Sequence, residues 1–526
     1  MNVLRRNFLV FLAIFVGATS HAQNQWRIAL GNSDTQDVRD VVPTQDGGCY
    51  AMGRASQSIP FGFITRLDLN GNQVWTDRVK KALFSGAILT DDGGLIATGT
   101  GSPNGYYEIL TCRFGSAGNC QWCYQATSPY NDYGYRVALT ADNGCLVGGV
   151  EALSHSHERV ALLKLDSLGA LQWSRTYDAF ENSTTGSVQV SAVLPLKNGG
   201  YMVVGRGPFQ GNPYPIDGFL LKVDSVGSVV WMKRYFTPLH DLVHEALQTS
   251  DGGFILCGRI QGGFSTPSDP DENGFLLKAN DLGAIEWAKQ FGTSSQNDGF
   301  MSISKSASGF VVTGYSRSYG DNNDIIVVEC DSTGAPLWAS RSTIAWSEFG
   351  SSIRVSPSGS CFIGGHEFYG SQSSATDGTV IRTATLPPTC YWVDCEPNFS
   401  PLDMEVMPLS PTLSTFDESL PFIPVIADNM VMALVCPLIT TAVESQQRLE
   451  VTITPNPASS TVTISLHPAN ALQATVQLLD ATGRTCMYAN GPSAGIPLNI
   501  QQLTSGVYIA IISNGTDHSI VRLIKE

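Results

Sequence analysis

Three stretches of the chain place reactive residue types close together. His240-Asp241-x-x-His244 offers two imidazoles and a carboxylate within five residues. On a helix, positions i and i+4 share a face, and such a His pair can bind a divalent metal. Ser154-His155-Ser156-His157 sets hydroxyls beside imidazoles. A catalytic triad, however, needs nucleophile, base and orienting acid to meet in space, which sequence neighbours do not ensure. Cys120-Gln121-Trp122-Cys123 has the spacing of a redox pair. That chemistry needs a thiolate stabilised at a helix N-terminus. Each reading therefore depends on the element that carries the residues.

Those elements recur. Seven glycine turns end at Gly48, Gly94, Gly144, Gly200, Gly253, Gly309 and Ser360, with a mean period of about 52 residues. Five residues beyond each stands a Gly: Gly53, Gly99, Gly149, Gly205, Gly258, Gly314 and Gly365. Each repeat carries four short runs rich in Val, Ile and aromatics, separated by Gly and Asp, which read as antiparallel strands. Asp68-Leu69-Asn70-Gly71 suits a type I turn, with Asp first and Gly fourth. Four strands per unit of this length make one propeller blade.

Tryptophan counts the repeats independently. Trp75, Trp122, Trp173, Trp231, Trp287 and Trp338 each follow a turn Gly by four residues. Trp26 lacks that turn but precedes Gly48 by the interval that separates Trp122 from Gly144. The chain after residue 22 thus begins on the last strand of a repeat. At the other end, Thr379–Thr385 is a third strand with no Trp strand after it. The two ends are expected to complete one blade, closing a seven-bladed β-propeller and leaving no open sheet edge.

This frame changes the three candidates. His240, Asp241 and His244 fall in the loop leading into a blade's first strand, where helical spacing has no meaning. Corresponding loops carry Asp37, Asp132, Asp298 and Glu348, which suggests a repeated acidic turn. A solvated loop is the expectation and a metal site the lesser reading. Ser154 to His157 lie in a loop between strands. The CxxC pair surrounds a repeat Trp on a strand, with Cys112 on its neighbour, so a disulfide from Cys112 to Cys120 or to Cys123 is open. Cys49, Cys145 and Cys361 all follow a glycine turn, and Cys330 takes the slot of Leu67; all four read as small buried apolar residues.

The repeat over residues 24–385 resembles the pyrroloquinoline-quinone-type propeller repeat. The resemblance rests on Leu67-Asp68 with Gly71 and Trp75, and on Val223-Asp224 with Gly227 and Trp231. It implies that Trp26, Trp75, Trp122, Trp173, Trp231, Trp287 and Trp338 pack between blades. It does not extend to a quinoprotein site, because the chain has no adjacent Cys-Cys pair, and no cofactor is expected. The Asp box of sialidases is also absent: each spacing here is one residue too long. No paired carboxylates or Arg cluster can be picked out by motif.

Both ends of the chain carry signals. Arg5 and Arg6, the apolar run Phe8 to Val16 and Ser20-His21-Ala22 read as a secretory signal peptide over residues 1–22. No other run approaches membrane-spanning length. Residues 386–445 lose the period, are rich in Pro and Ser, and read as an irregular cap or linker. One disulfide among Cys390, Cys395 and Cys436 would staple it, and Asn429–Cys436 reads as a strand. From 446 to 526 the pattern is that of a small antiparallel β-sandwich. Pro455-Asn456-Pro457, the turn at Gly483, Gly506-Val507-Tyr508 and the terminal Arg522–Lys525 resemble the type A C-terminal sorting domain of the type IX secretion system of Bacteroidetes-type bacteria. That resemblance implies handling by the type IX machinery and release to, or display on, the cell surface.

The formal net charge of −15 falls to about −17 on signal removal, which argues against nucleic acid as a partner. The expectation is an all-β, secreted or cell-surface propeller that binds a glycan, protein or surface polymer, without a catalytic set. The alternative is a secreted polysaccharide-acting hydrolase that uses Asp37, Asp132, Asp241 and Asp298 of the blade loops.

Overall fold

Two local geometries explain the repeated glycines. At the first hairpin turn, Gly47 N donates to Thr44 O at 3.1 Å and Thr44 N to Gly48 O at 2.9 Å, with Gly47 at φ +84°. Asp46 Oδ1 accepts from Thr44 Oγ1 at 2.6 Å and fixes the turn. At the second, Gly71 N donates to Asp68 O at 3.0 Å, while Asp68 Oδ1 accepts from Asn70 N and Asn72 N. This is the turn expected from Asp first and Gly fourth.

The glycine five residues beyond each hairpin turn has another cause. The first strand of every repeat carries a β-bulge opposite it, as between Val38 and Asp40. The bulge drives a carbonyl into the space a side chain would occupy. A Cβ on Gly53 would lie 1.8 Å from Asp37 O, and one on Gly365 2.1 Å from Phe349 O.

The computed structural model describes residues 25–414 and 450–525, apart from 31–34, 57–59, 103–104, 127, 155–156, 181–186, 198, 210–215, 262–271, 294–295, 343–346, 369–375, 385, 388–391, 398, 410–411, 468–472, 480–484, 493–494 and 515–516. Residues 1–22, read above as a signal peptide, and the strand expected at Asn429–Cys436 lie outside the described residues.

Among the described residues the repeats form seven sheets of four antiparallel strands drawn from residues 26–383. Sheet one holds Thr35–Pro43, Cys49–Ser56, Phe61–Leu67 and Gln73–Lys80 in that order. Sheets two to seven begin with Ala82–Leu89, Tyr133–Leu139, Gln189–Pro195, His240–Gln248, Asp298–Lys305 and Ser347–Val355. Sheet seven takes its outer strand from the other end of the chain: Trp26–Leu30 pairs antiparallel with Thr376–Thr383, in the register Arg27↔Ile381. Arg27 then bridges Glu348 and Glu367 of that sheet. Each first strand packs beside the first strand of the next sheet, and that of sheet seven lies beside that of sheet one. Their apolar faces form a chain of cores between sheets, such as Val38, Val41 and Cys49 with Phe362 and Val380.

The segment read as an irregular cap is more ordered than its composition suggests. Trp392–Asp394, Phe399–Pro401, Glu405–Leu409 and Thr412–Ser414 are short strands. They add a fifth strand to sheets six, five, four and three, in that order. The chain therefore runs back over four outer edges as a strap. Cys395 within it is a free, half-buried thiol, and Cys390 and Cys436 lie outside the described residues.

The chain divides into two compact units, the second made chiefly by Thr440–Glu526. Its described part has a three-stranded sheet (Glu450–Thr454, Thr461–His467, Ile496–Asn499) and a four-stranded one (Gln473–Leu479, Thr485–Pro492, Gly506–Asn514, Asp517–Lys525). Val462, Ile464, Val476, Leu478, Ile512 and Leu523 share its core. No helix among the described residues is long and apolar enough to cross a membrane.

Candidate functional site

The structure moves the three sequence candidates. His240, Asp241 and His244 are not in a solvated loop. They belong to the strand His240–Gln248 and are 4%, 1% and 9% exposed. The strand begins on two polar residues that the fold buries, which the loop reading does not allow for. Among the described residues no three His, Cys, Asp or Glu side chains are grouped to hold a metal ion. In the second stretch, His157 Nε2 lies 2.9 Å from Asp178 Oδ2 in an ordinary pair, and 155–156 are outside the described residues. In the third, Cys112 is bonded to Cys123 across adjacent strands. Cys120 keeps its thiol 3.5 Å from Cys123 Sγ. Burial, then the Asp77 carboxylate, raise its pKa above the ordinary thiol value, so it is a poor nucleophile.

The loop acids hold their own loops. Asp241 accepts from Thr237 N at 2.6 Å, and burial pushes its carboxyl up to about 7. Asp132 accepts from Ala152 N at 3.0 Å and Ser128 Oγ at 2.9 Å; burial takes it to about 7 as well. Asp298 accepts from Ser318 Oγ at 2.6 Å. Glu348 is held by Arg27 and Ser342. Asp37 departs from this set. The bulge register puts Gln36, not Asp37, opposite the others. Asp37 faces Arg39 at 2.7 Å, Arg54 at 3.3 Å and His366 Nδ1 at 3.2 Å. Burial opposes its charge, but His366 and the two guanidinia hold it down to about 2.

The seven tryptophans sit on outer strands, half-buried. Six of them lie against the turn glycine of the following sheet: Trp26 on Gly71, Trp75 on Gly118, Trp122 on Gly169, Trp173 on Gly227, Trp231 on Gly283 and Trp287 on Gly334. Trp338 is different: its Nε1 donates to Glu329 Oε2 at 2.6 Å. The sheet after it has no third-to-fourth-strand turn, because its outer strand comes from residue 26.

Side chains of the first strands also meet across the sheets. Arg354 of sheet seven donates to Glu245 Oε1 of sheet five at 2.8 Å and to Ser302 Oγ of sheet six at 3.0 Å, and lies 3.1 Å from Asp40 Oδ1 of sheet one. Burial lowers its pKa, yet Asp40 and Glu245 outweigh this and raise it. Arg136 of sheet three donates to Ser85 O of sheet two and Ser191 O of sheet four, both at 2.9 Å. Side chains from non-neighbouring sheets thus converge on one place.

Beside Arg136 the cluster is less balanced. Arg206 Nη1 lies 3.4 Å from His244 Nδ1, and its other nitrogen donates to Gln189 Oε1. Arg259 donates to Tyr315 Oη at 2.8 Å and Glu272 Oε2 at 3.0 Å, but its Nε has no partner. His244 Nε2 is buried and also has none. Burial, then Arg206, Arg259 and Arg136, push the His244 pKa well below its ordinary value. Burial, then the neighbouring Arg259, lower Arg206 to about 10.

Motif reasoning misses these residues because each is peculiar to one repeat. A positional signal did exist. The residue right after each fixed glycine is Arg54, Thr100, Val150, Arg206, Arg259, Tyr315 or His366. That slot varies while its neighbour is constant, and four of its seven occupants are charged or titratable nitrogen side chains.

In the C-terminal unit, Asn456 Oδ1 accepts from Ile524 N at 2.8 Å, and Ala458 N donates to Ile524 O at 3.0 Å. The exposed Pro455-Asn456-Pro457 loop therefore ties down the last strand. Tyr508 Oη donates to Thr504 O at 2.9 Å. Gly506 has open space around it, and Gly483 lies outside the described residues.

No curated protein matches the chain. Among solved structures it is similar to the polysaccharide lyase Uly1, at 9% identity over 65% of this chain and 89% of that one, with a TM-score of 0.44. It is also similar to the Dos1 propeller, at 12% identity over 65% and 77% with a TM-score of 0.38. A third is a protein of unknown function from Dyadobacter fermentans DSM 18053, at 9% identity over 68% and 97% with a TM-score of 0.39. At these scores none of the three supports a functional argument. Residues 452–526 match the secretion system C-terminal sorting domain family, and this tail marks a secreted or cell-surface protein.

Proposed function

We propose that the protein is a seven-bladed β-propeller, closed by its N-terminal strand, that is exported by the type IX secretion system and binds a ligand where the first strands converge. A signal peptide over residues 1–22 starts the export and the C-terminal sandwich directs its last step. Residues 23–385 make the propeller, 386–445 a strap and linker, and 446–526 the sorting domain. The protein acts as a binding module for a glycan, protein or surface polymer, not as an enzyme.

One observation carries the binding reading. His244 Nε2 and Arg259 Nε are buried nitrogens without a hydrogen-bond partner among the described residues, and they stand beside Arg206 and Arg136, which have no ion-pair partner there. The alternative, a polysaccharide hydrolase, would draw on Asp37, Asp132, Asp241 and Asp298. Each of these is buried and engaged within its own loop or side-chain cluster, which weighs against it. A glycan array and surface extracts from the producing cells test the proposal. Saturable binding without turnover supports it, and hydrolysis without stable binding rejects it. Export is tested by deleting residues 446–526: surface delivery should cease, and delivery that persists overturns the sorting role.

A further inference from the structure

The cluster at Arg206 has a charge problem that a ligand would solve. Burying guanidinium groups together without carboxylates is unfavourable, because each loses hydration and repels the others. The protein tolerates this at one place although its formal net charge is −15. Arg354, in the same core, shows the ordinary solution, with Asp40 and Glu245 as partners. Arg206 and Arg136 have no such partner among the described residues, and Arg259 has Glu272 alone. The donors left over are consistent with an acceptor from outside. His244 is 9% exposed and its Nε2 is unpaired. With Nδ1 facing a guanidinium, the neutral ring carries its proton on Nε2 and can donate it.

An aromatic row leads to the cluster. Tyr107 is 43% exposed. Its ring lies 5.6 Å from Tyr133, and Tyr133 is stacked at 6.3 Å on Tyr135. Tyr135 is near enough to Arg206 to interact with it electrostatically. Aromatic faces beside a cationic end suit a ligand with an apolar ring face and one negative group. A sugar ring bearing a carboxylate or sulfate has both.

We propose that Arg206 and His244, backed by Arg136 and Arg259, bind the carboxylate or sulfate oxygens of an acidic saccharide whose ring lies along Tyr133 and Tyr107. This rests on the binding reading above and narrows it to a ligand class. Arg206 supplies a fork that matches two oxygens, and His244 a single donor. Arg136 and Arg259 act through the field.

The test is calorimetric titration of the full chain lacking its signal peptide. The probes are oligogalacturonate, inorganic sulfate and a neutral cello-oligosaccharide. Oligogalacturonate should bind with micromolar to millimolar affinity and weaken with salt. Arg206→Gln should weaken it at least tenfold, or about 1.4 kcal/mol, with an unchanged melting temperature or a raised one. Arg206→Lys, which keeps charge but loses the fork, should fall between; this variant decides the matter if Arg206→Gln does not fold. Equal affinity in wild type and both variants overturns the proposal. So does a failure of both anionic probes to bind. Sulfate binding with no gain from the saccharide ring refutes the saccharide assignment. If only the neutral oligosaccharide binds, the anion site fails while the binding function stands.

Discussion

Trp26 Nε1 donates a hydrogen bond to the main-chain carbonyl of Leu69, 3.0 Å away and 43 residues later in the chain. The same indole lies over Gly71, whose Cβ position would be 2.9 Å from the ring. The N-terminal strand is thus joined to sheet seven by its backbone and to sheet one by its tryptophan. Trp75 repeats the bond to Ser116 O at 3.0 Å and Trp122 to Ser167 O at 3.2 Å.

This joint should be measurable. Trp26→Ala should reduce stability by about 2 kcal/mol, less than a fully buried Trp because the ring is half-buried. Gly71→Ala should lose a similar amount, from its φ of +80° and the contact with the indole. Urea midpoints decide it: a change in either variant no larger than surface substitutions give would deny the indole a joining role.

The glycines opposite the bulges should be the least replaceable positions in the chain. Gly53→Ala puts a methyl 1.8 Å from Asp37 O, against backbone that cannot rotate away. A loss of about 3 kcal/mol, or failure to fold, is expected. Gly320, exposed and with no atom near its Cβ position, is the control; its alanine variant should change the urea midpoint by less than about 0.5 kcal/mol.

The stability held by two buried carboxyls should fall as pH rises from about 4 to about 7. Asp132 and Asp241 have folded pKa values near 7, above an ordinary value of 3.8. A raised carboxyl pKa means the unfolded chain releases its proton first. The associated stability is complete below about pH 4 and is lost as pH rises through 7, up to a few kcal/mol per group. His244 works the other way: its depressed pKa gives stability above about pH 6.5 that is lost on acidification. Melting temperatures of Asp132→Asn and Asp241→Asn between pH 4 and 9 should show a flatter profile than wild type. Parallel profiles would mean the carboxyls titrate normally.

The strap should protect the sheets it covers. Phe399 lies tilted 5.4 Å from Phe291 of the outer strand of sheet five and stacks at 6.2 Å on Phe300. Phe399→Ala should lower stability by about 2 kcal/mol and speed amide exchange in Ile285–Phe291. Unchanged exchange in that strand would show that the strap lies over the edge without securing it.

What the sequence revealed follows from how local the causes are. Asp68 and Gly71 make a turn with their own neighbours, so their spacing announces it. Gly53 and Trp26 answer to partners one strand or one sheet away, but the same partner recurs in every repeat, and repetition made them visible. Arg206 and His244 meet across two sheets, once only, and the repeat marks only the variable slot after Gly205 that Arg206 occupies. The strap strands are three to five residues long and owe their conformation to the edges they cover, so Trp392–Asp394 and Thr412–Ser414 carry too little pattern to read. His240 was misplaced for a related reason: its strand begins on polar residues that the fold buries.

The pairing of Arg27 with Ile381 also sets a timetable. The outer strand of sheet seven precedes the strand it pairs with by about 350 residues. Until Thr376–Thr383 emerges, Trp26–Leu30 has no sheet to join. Contacts of such long sequence separation form slowly and late. Without Trp26–Leu30, sheet seven would be one strand short and Thr376–Thr383 would present an unpaired edge to other chains.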